Sequence, residues 1–356
     1  MAAEAPPSSP PTTTRMLISR ARNRYKDIDA PKTSGGRFYT TQDSWLTTPV
    51  IAFIQAALAK APGFLDPFAG AGHLLEACAA RYQRPVAGLD LHAAPWPTHD
   101  SLRDIPGTTA IIVTNPPYLA KHSASRKGVA AEVAHYYRET GLDDLYQIAL
   151  CRCLAAARFT VAIIPETFLN SGFDKRSLAL VSVLQRNPFQ DTETPVCVAC
   201  FDTQKRDGAQ AARLFVDDRF CGTYGDIFSL RRSVPRDDRI AFNDPAGTIG
   251  LRAVDSTDPA APIAFLPAEH FTYERASIKV SSRLLTYLRV RDLSTKRRLE
   301  LIELANLRLA QLREASHDLV LSPFKGNTKA GKRRRRLDYA LARTLLVEAL
   351  AELERA

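Results

Sequence analysis

Residues 64–80 combine a short apolar run, an acidic residue, a glycine-rich turn and a helix-forming stretch. Phe64-Leu65 precedes Asp66, the turn reads Pro-Phe-Ala-Gly-Ala-Gly, and the apolar side chains of residues 73–80 have helical spacing. A strand, a glycine turn and a helix in this order form the first βα unit of nucleotide-binding sheets. The glycines allow the backbone to approach a ligand closely. The segment therefore predicts the start of a nucleotide-binding α/β fold.

A second acidic residue follows at the spacing that such a fold uses. The apolar run of residues 86–89 ends in Asp90, 24 positions after Asp66. An acid at about this separation, at the end of the second strand, suits the hydroxyl pair of a ribose. The two acids and the glycine turn together indicate a ligand that contains a nucleoside.

The third informative feature is the tetrapeptide Asn115-Pro116-Pro117-Tyr118, which follows an apolar run, residues 110–113, and Thr114. Two consecutive prolines fix φ and remove two backbone donors, so the loop is stiff and its carbonyls stay free. An asparagine oxygen and a free carbonyl can accept the two N–H bonds of a planar amino group while the phenol ring stacks on its plane. Alone, the tetrapeptide is equally compatible with an ordinary loop after a strand. The glycine turn upstream favours the functional interpretation.

Together these motifs resemble the S-adenosylmethionine-dependent adenine-N6 DNA methyltransferases, in the gamma-class order with the cofactor motif before the catalytic tetrapeptide. The resemblance covers about residues 37–205 and extends to residues 161–169 and 194–201, which resemble later strands of the family's sheet. It implies a doubly wound, Rossmann-like α/β fold with a seven-stranded sheet, and S-adenosyl-L-methionine as cofactor. One departure is Ser101, where the family often has an aromatic or large apolar residue on the cofactor's adenine.

The resemblance also assigns roles to individual residues. It assigns catalysis to Asn115, Pro116, Pro117 and Tyr118. It assigns cofactor binding to Phe38, Tyr39, Thr40, Thr48, Pro49, Asp66, Pro67, Phe68, Ala69, Gly70, Gly72, Asp90, Leu91, Asp100, Ser101 and Leu102. Within this set, Asp66 faces the methionine amino group directly or through the loop, Asp90 binds the ribose and Asp100 the adenine. No general base, covalent intermediate or metal is required.

The order of sequence patterns predicts three parts. Residues 1–20 are rich in Pro, Ser, Thr and Ala and read as a disordered tail. Residues 21–206 form the cofactor-binding catalytic domain. Residues 207–356 form a target-recognition region of mixed α+β structure, because short β-like runs at 213–216, 239–242 and 248–254 precede a helical pattern from about residue 281 and an amphipathic terminal helix.

Two basic segments are candidates for contact with nucleic acid. Residues 119–141 read as a long mobile loop, either one that orders around a substrate or a solvated insertion. Residues 325–336 contain seven cations and no acid in a chain of formal net charge +10, and read as a flexible loop that follows a phosphate backbone. A solvated basic loop or a nuclear-import-like signal is the alternative for the second segment. The candidate contacts are Lys121, Arg126, Lys127, Lys325, Lys329, Lys332, Arg333, Arg334, Arg335 and Arg336.

Other sequence features bear on location and metals. The chain start lacks the basic and apolar regions of a secretory signal, and no apolar stretch is long enough to span a membrane. We therefore expect a cytoplasmic protein, nucleoid-associated if prokaryotic. The six cysteines are expected to be small buried side chains and not zinc ligands, because Cys197 and Cys200 lie in a β-like run that points them to opposite faces.

The predicted substrate is double-stranded DNA, and three alternatives remain open. An RNA adenine-N6 methyltransferase would use the same chemistry, and a protein-glutamine methyltransferase would share the tetrapeptide. A non-catalytic nucleic-acid-binding module is the third alternative. The sequence does not distinguish an enzyme paired with a cognate restriction endonuclease from a solitary regulatory one, and it does not indicate the oligomeric state.

Overall fold

The computed structural model describes residues 43–92, 95–186, 188–189, 193–205, 208–234 and 236–355. The predicted tail at residues 1–20 and the cofactor candidates Phe38, Tyr39 and Thr40 lie outside these residues. The helices are α1 (Thr48–Leu58), α2 (His73–Tyr82), α3 (Lys121–Arg126), α4 (Ala130–Thr140), α5 (Leu145–Ala156), α6 (Tyr224–Ser229), α7 (Thr295–Ala315) and α8 (Tyr339–Arg355).

The main sheet is of the mixed, mostly parallel α/β type. Its strands are β1 (Phe64–Asp66), β2 (Val86–Gly88), β3 (Ile111–Thr114), β4 (Phe159–Pro165), β5 (Leu178–Val183), β6 (Val196–Asp202), β7 (Arg213–Val216) and β8 (Arg219–Thr223). The strand order is β2-β1-β3-β4-β6-β5-β7-β8. Strand β8 runs antiparallel to β7. The α/β fold class is confirmed, and the described residues place eight strands in this sheet, where seven were predicted.

The central strands explain why the sequence forms this sheet. All four residues of β3 and all seven of β4 are buried. Because successive side chains of a strand point to opposite faces, both faces of the sheet are covered at this point. On one face, Ile112 packs with Cys153 and Ala157 at the end of α5. The centre of the sheet is therefore buried on both faces.

The described residues divide into two compact units. The first comprises the described residues of 1–164, 188–192 and 199–204, and the second those of 165–187, 193–198 and 205–356. The functional boundary between residues 206 and 207 stays a prediction, and the main sheet itself continues beyond it through β7 and β8.

The second unit also contains two smaller sheets. Strands β9 (Ile240–Phe242), β10 (Ile249–Arg252), β11 (Ala264–Pro267) and β12 (Leu285–Val290) form an antiparallel sheet in the order β11-β10-β12-β9. Strands β13 (Ser322–Asn327) and β14 (Arg333–Arg336) form an antiparallel pair. The predicted terminal helix is confirmed as α8, in which the apolar stripe Leu341, Leu345, Leu346, Ala349 and Leu353 is buried.

Three sequence predictions about local structure are wrong. The helical pattern placed from about residue 281 begins as strand β12, since this segment pairs with β10 and β9 on its two sides, and the helix begins only at Thr295. The predicted loop 119–141 contains α3 and α4, because Ala124, Tyr136 and Tyr137 are buried against α5. The basic segment 325–336 is not a flexible loop, since its ends pair as β13 and β14.

Candidate nucleoside-binding and catalytic site

The candidate site lies at the carboxyl ends of β1, β2 and β3, all in the first unit. Strand β1 lies between β2 and β3, so the chain passes to the opposite side of β1 after β2. Ligands of open α/β sheets bind outside the carboxyl ends of the strands at such a reversal of strand order. Asp66 is the last residue of β1, and Asn115 directly follows β3. The fold therefore brings the two sequence motifs to one edge of the sheet.

A buried carboxylate connects these two strand ends. Asp66 is 2% exposed, and its Oδ1 accepts hydrogen bonds from Thr114 Oγ1 at 2.7 Å and from the Phe68 amide at 3.0 Å. Burial raises the pKa of Asp66 to about 7, although both hydrogen bonds act in the opposite direction. Asp66 therefore holds the start of the glycine turn.

This pKa predicts a pH-dependent stability. The pKa of Asp66 is 3.8 without burial and about 7 in the folded protein. Protonated Asp66 therefore stabilises the fold fully below about pH 4, and this contribution is lost as the pH rises to about 7. Urea unfolding from pH 4 to 8 should show the decline, and Asp66→Asn should flatten it. Parallel curves for the wild type and the variant would contradict the assignment.

Asp90 spans the gap between β2 and the glycine turn. Its Oδ2 accepts the Gly70 amide at 2.9 Å, and its Oδ1 accepts the His92 amide at 2.8 Å. Gly70 and Gly72 have φ of +50° and +86°, values that favour glycine, and Gly72 directly precedes α2. The next residue in the chain, Leu91, is 41% exposed. A half-buried acid next to uncovered apolar surface fits a nucleoside.

Trp96 is part of this region, and sequence reasoning did not select it. Its Nε1 donates to the Gly70 carbonyl at 3.0 Å. A Cβ placed on Gly72 would lie 2.8 Å from the indole, and one on Gly88 would lie 2.6 Å from it. Both glycines are therefore needed for the close packing of Trp96. In the sequence, Trp96 is a single tryptophan a few residues after Asp90. No local pattern of residues around it predicts a contact with the glycine turn.

A third acid lies in the loop after Asp90. Asp100 Oδ2 accepts a hydrogen bond from Tyr136 Oη at 2.8 Å and pairs with Arg103 Nε at 3.1 Å. Tyr136 belongs to α4, inside the segment that the sequence predicts as a loop. Beside it, Ser101 is 3% exposed, and its hydroxyl has no hydrogen-bond partner among the described residues. An unsatisfied buried hydroxyl usually marks a place for a water or a ligand.

The tetrapeptide presents one half-buried amide and one buried phenol. Tyr118 is 8% exposed, and its hydroxyl lies 2.5 Å from Asn115 Oδ1 and 2.7 Å from the Ile163 carbonyl. Its ring meets Phe189 edge-to-face at 6.2 Å between centroids. Pro116 is buried and Pro117 half-buried. The phenol has one proton for these two acceptors, so it donates to either Asn115 Oδ1 or the Ile163 carbonyl at a given moment.

The remaining cofactor candidates stay predictions. Pro67, Phe68 and Ala69 form the turn after β1, and the Ala69 amide donates to the Leu89 carbonyl at 2.9 Å. Leu102 is buried in the cluster of α3, α4 and α5. Thr48 is exposed and Pro49 buried in the first turn of α1.

The predicted nucleic-acid contacts separate into exposed and internal side chains. Lys121, Arg126 and Lys127 are exposed at α3, and Lys325, Lys329 and Lys332 are exposed at the β13–β14 pair. Arg333 and Arg335, in contrast, are 6% and 4% exposed. Arg333 donates to the Leu184 carbonyl, and Arg335 forms an ion pair with Glu166, which is 1% exposed. These two arginines cannot contact a phosphate backbone, so their assignment is wrong.

Arg334 and Arg336 are half-buried. Arg334 donates to the Asp255 and Lys325 carbonyls and lies over the Phe324 ring at 4.9 Å. Within the described ranges, no helix is long and apolar enough to cross a bilayer. No group of three His, Cys, Asp or Glu side chains in the same ranges is arranged to hold a metal ion.

Comparisons with known proteins add only distant structural similarity. No protein-family model matches the chain, and no curated protein matches it in sequence. A type I restriction-modification methyltransferase subunit from Streptococcus thermophilus matches 50% of the chain and 47% of its own length, with 18% identity and a TM-score of 0.35. The M protein of the type I restriction enzyme EcoKI matches 88% of the chain and 71% of its own length, with 13% identity and a TM-score of 0.32.

The chain thus spans about half the length of the Streptococcus protein that it resembles. Because identities and TM-scores are this low, we infer function only from the residues of the site.

Proposed function

We propose that this protein transfers a methyl group from S-adenosyl-L-methionine to the N6 amino group of an adenine in double-stranded DNA. The single observation that supports this most is the position of Asn115. Its carboxamide stands at the carboxyl end of β3, at the reversal of strand order, with Asp66 and its loop on the adjacent strand. This position supports a single site in which Asn115 would accept an amino group next to the edge that would bind a nucleoside.

The donor side of the reaction uses the acids after β1 and β2. Asp90 would accept hydrogen bonds from the ribose hydroxyls. Leu91 and the unsatisfied Ser101 hydroxyl would contact the adenine of the cofactor, and Asp100 would accept a hydrogen bond from the amino group of that adenine. Asp66 would keep the Gly70–Gly72 turn in place. When bound, S-adenosyl-L-methionine supplies a methyl group on a sulfonium, which needs no metal to be activated.

The acceptor side uses the tetrapeptide. The amino nitrogen of adenine is a poor nucleophile because its lone pair is delocalised into the ring. Asn115 Oδ1 and the Pro116 carbonyl would each accept one N–H and stabilise the positive charge that develops on the nitrogen. The Tyr118 ring would stack on a base that has left the duplex. Binding of the base requires Asn115 Oδ1 to exchange the Tyr118 hydroxyl for an N–H donor, while the phenol keeps the Ile163 carbonyl.

The proposed substrate is a duplex because the chain is basic and carries exposed cations near this site. Lys121, Arg126 and Lys127 are exposed and stand at positions 121, 126 and 127, after the tetrapeptide that ends at Tyr118. Such cations bind phosphates and set the position of the duplex without reading its sequence. The proposed biological setting is restriction-modification or a solitary regulatory role, with a cognate restriction endonuclease as partner in the first case.

Tritiated methyl transfer to duplex DNA, RNA and protein, measured in parallel, tests this proposal. We expect label in DNA, and digestion to nucleosides should recover it in N6-methyladenine. Label only in RNA or in protein glutamine would contradict the proposed substrate, and label in none of the three would contradict the proposed enzyme.

The position of Trp96 predicts a spectroscopic signal of cofactor binding. The chain has two tryptophans, and Trp45 is 1% exposed, whereas Trp96 packs on the glycine turn. Adding S-adenosyl-L-methionine or its demethylated product should therefore change the fluorescence of Trp96. Titration of the wild type should saturate, and Trp96→Phe, which retains Trp45, should lose the signal. An equal change in that variant would show that Trp96 does not report on this site.

A further inference from the structure

A second concentration of positive charge on the second unit lies outside the basic segment 325–336. Residues 275–298 contain eight lysines and arginines and one acid. Several of these cations are engaged within the protein: Arg289 with Asp244, Arg298 with Glu269, Arg275 with the Gly247 carbonyl and Arg297 with the Leu353 carbonyl. Lys279 and Arg283 are both exposed at a tight turn between β11 and β12. Arg283 also holds this turn, because its Nη1 donates to the Val280 and Ser282 carbonyls at 3.0 and 2.9 Å.

The turn, residues 279–282, is held in one conformation. The Ser282 amide donates to the Lys279 carbonyl at 2.9 Å, and the Lys279 amide donates to Ser282 Oγ at 3.0 Å. Asn243 Nδ2 donates to the Val280 carbonyl at 2.9 Å. The Asn243 Oδ1 in turn accepts from Thr286 Oγ1 at 2.6 Å. Asn243 thus links the turn to Thr286 in β12. The turn is already ordered before it contacts any ligand.

At the tip of this turn, an apolar side chain projects into solvent. Val280 is 91% exposed, compared with 54% for Phe220 and Leu307, two other exposed large apolar residues among those described. Single exposed apolar residues are ordinary, but this one is held rigidly between two exposed cations. One valine is far too small for a protein interface, which needs about 800 Å² on each partner. A cationic turn with an apolar tip instead matches a groove of nucleic acid, where phosphates flank base edges.

We propose that the 279–282 turn enters a groove of the DNA duplex and reads base edges there, with Lys279 and Arg283 on the flanking phosphates. This rests on the proposed function, since it names a surface by which the same substrate is recognised. Val280 contacts the apolar part of a base edge, such as a thymine methyl group. Because the turn is already ordered, little conformational entropy is lost on binding.

Two variants of the full-length protein test this inference, Lys279→Ala and Val280→Ser. Each changes an exposed side chain, so the melting temperature should stay within about 2 °C of the wild type. Lys279→Ala should make the salt dependence of binding less steep. The slope of log binding constant against log salt concentration should fall in magnitude by about 1, as expected for one lost phosphate contact. Val280→Ser should lower kcat/KM on the preferred duplex by about tenfold and relax the preference at one base pair, with methyl transfer still measurable.

The matched controls are Lys296→Ala and Leu307→Ser, both on α7. The Lys296 side chain is 88% exposed, and Leu307 is 54% exposed. Neither control should change the preference among a library of duplexes, read by sequencing the methylated positions. Wild-type preference and salt slope in both turn variants would overturn the inference while leaving methyl transfer intact. No methyl transfer to DNA by the wild type would instead overturn the proposed function on which it rests.

Discussion

Asn115→Ala is expected to lose methyl transfer, by at least about a hundredfold in kcat, while cofactor binding stays near the wild-type level. Loss of one preorganised group that stabilises developing charge typically costs about 10²–10³ in kcat. Asn115 Oδ1 is such a group in the proposed reaction, and it lies outside the turn that Asp66 and Asp90 hold. Single-turnover transfer of tritiated methyl to duplex DNA measures the first effect, and calorimetric titration of the cofactor measures the second.

Tyr118→Phe is the matched control for this variant. It keeps the ring that would stack on the base and removes only the hydroxyl that contacts Asn115 Oδ1 and the Ile163 carbonyl. We expect it to retain most of its transfer activity, because the hydroxyl leaves Asn115 Oδ1 when the base binds and takes no proton from the base. Wild-type turnover by Asn115→Ala would remove Asn115 from the mechanism, whatever the control shows.

Arg335→Ala is expected to destabilise the protein by about 3–5 kcal/mol, the usual cost of removing one partner from a buried ion pair. Glu166 is 1% exposed, and its Oε2 has no hydrogen-bond partner among the described residues. Without Arg335, its carboxylate would remain buried and lose its ion-pair partner. The free energy of unfolding, measured by urea denaturation with folding followed by circular dichroism, should show the loss.

Lys332→Ala is the matched control from the same basic segment, because the Lys332 side chain is 67% exposed. An exposed substitution of this kind should change stability by no more than about 0.5 kcal/mol. The double variant Glu166→Leu with Arg335→Met should recover much of the stability, since it removes both charges at similar volume. Equal stability of Arg335→Ala and Lys332→Ala would contradict a stabilising role of the buried pair.

The arginine pair also changes how the basic segment must be tested. A strand places alternate residues on opposite faces, so β14 directs Arg333 and Arg335 inward. Neutralising residues 332–336 together would therefore combine loss of surface charge with loss of folding. Only variants of Lys325, Lys329 and Lys332 can measure phosphate contact by this hairpin.

Local sequence patterns were sufficient for the elements that form the candidate site. The apolar runs before Asp66 and Asn115 are confirmed as β1 and β3, the spacing after Gly72 as α2, and residues 161–165 as part of β4. These predictions succeed because strand and helix periodicity, glycine turns and prolines act over a few residues. The segment 119–141 failed because its few apolar residues define helices only once Tyr136 and Tyr137 pack against α5.

The sequence alone thus determined the order of strands, turns and helices that carries Asp66, Asp90 and Asn115, since each depends on its near neighbours. Only the tertiary structure decided which side chains meet across that frame. Trp96 reaches the glycine turn, and Arg335 pairs with Glu166 across 169 positions of the chain. Such contacts depend on packing and burial between distant segments. For this reason one run of four arginines contains both Arg335, which forms an internal ion pair, and the half-buried Arg334 and Arg336.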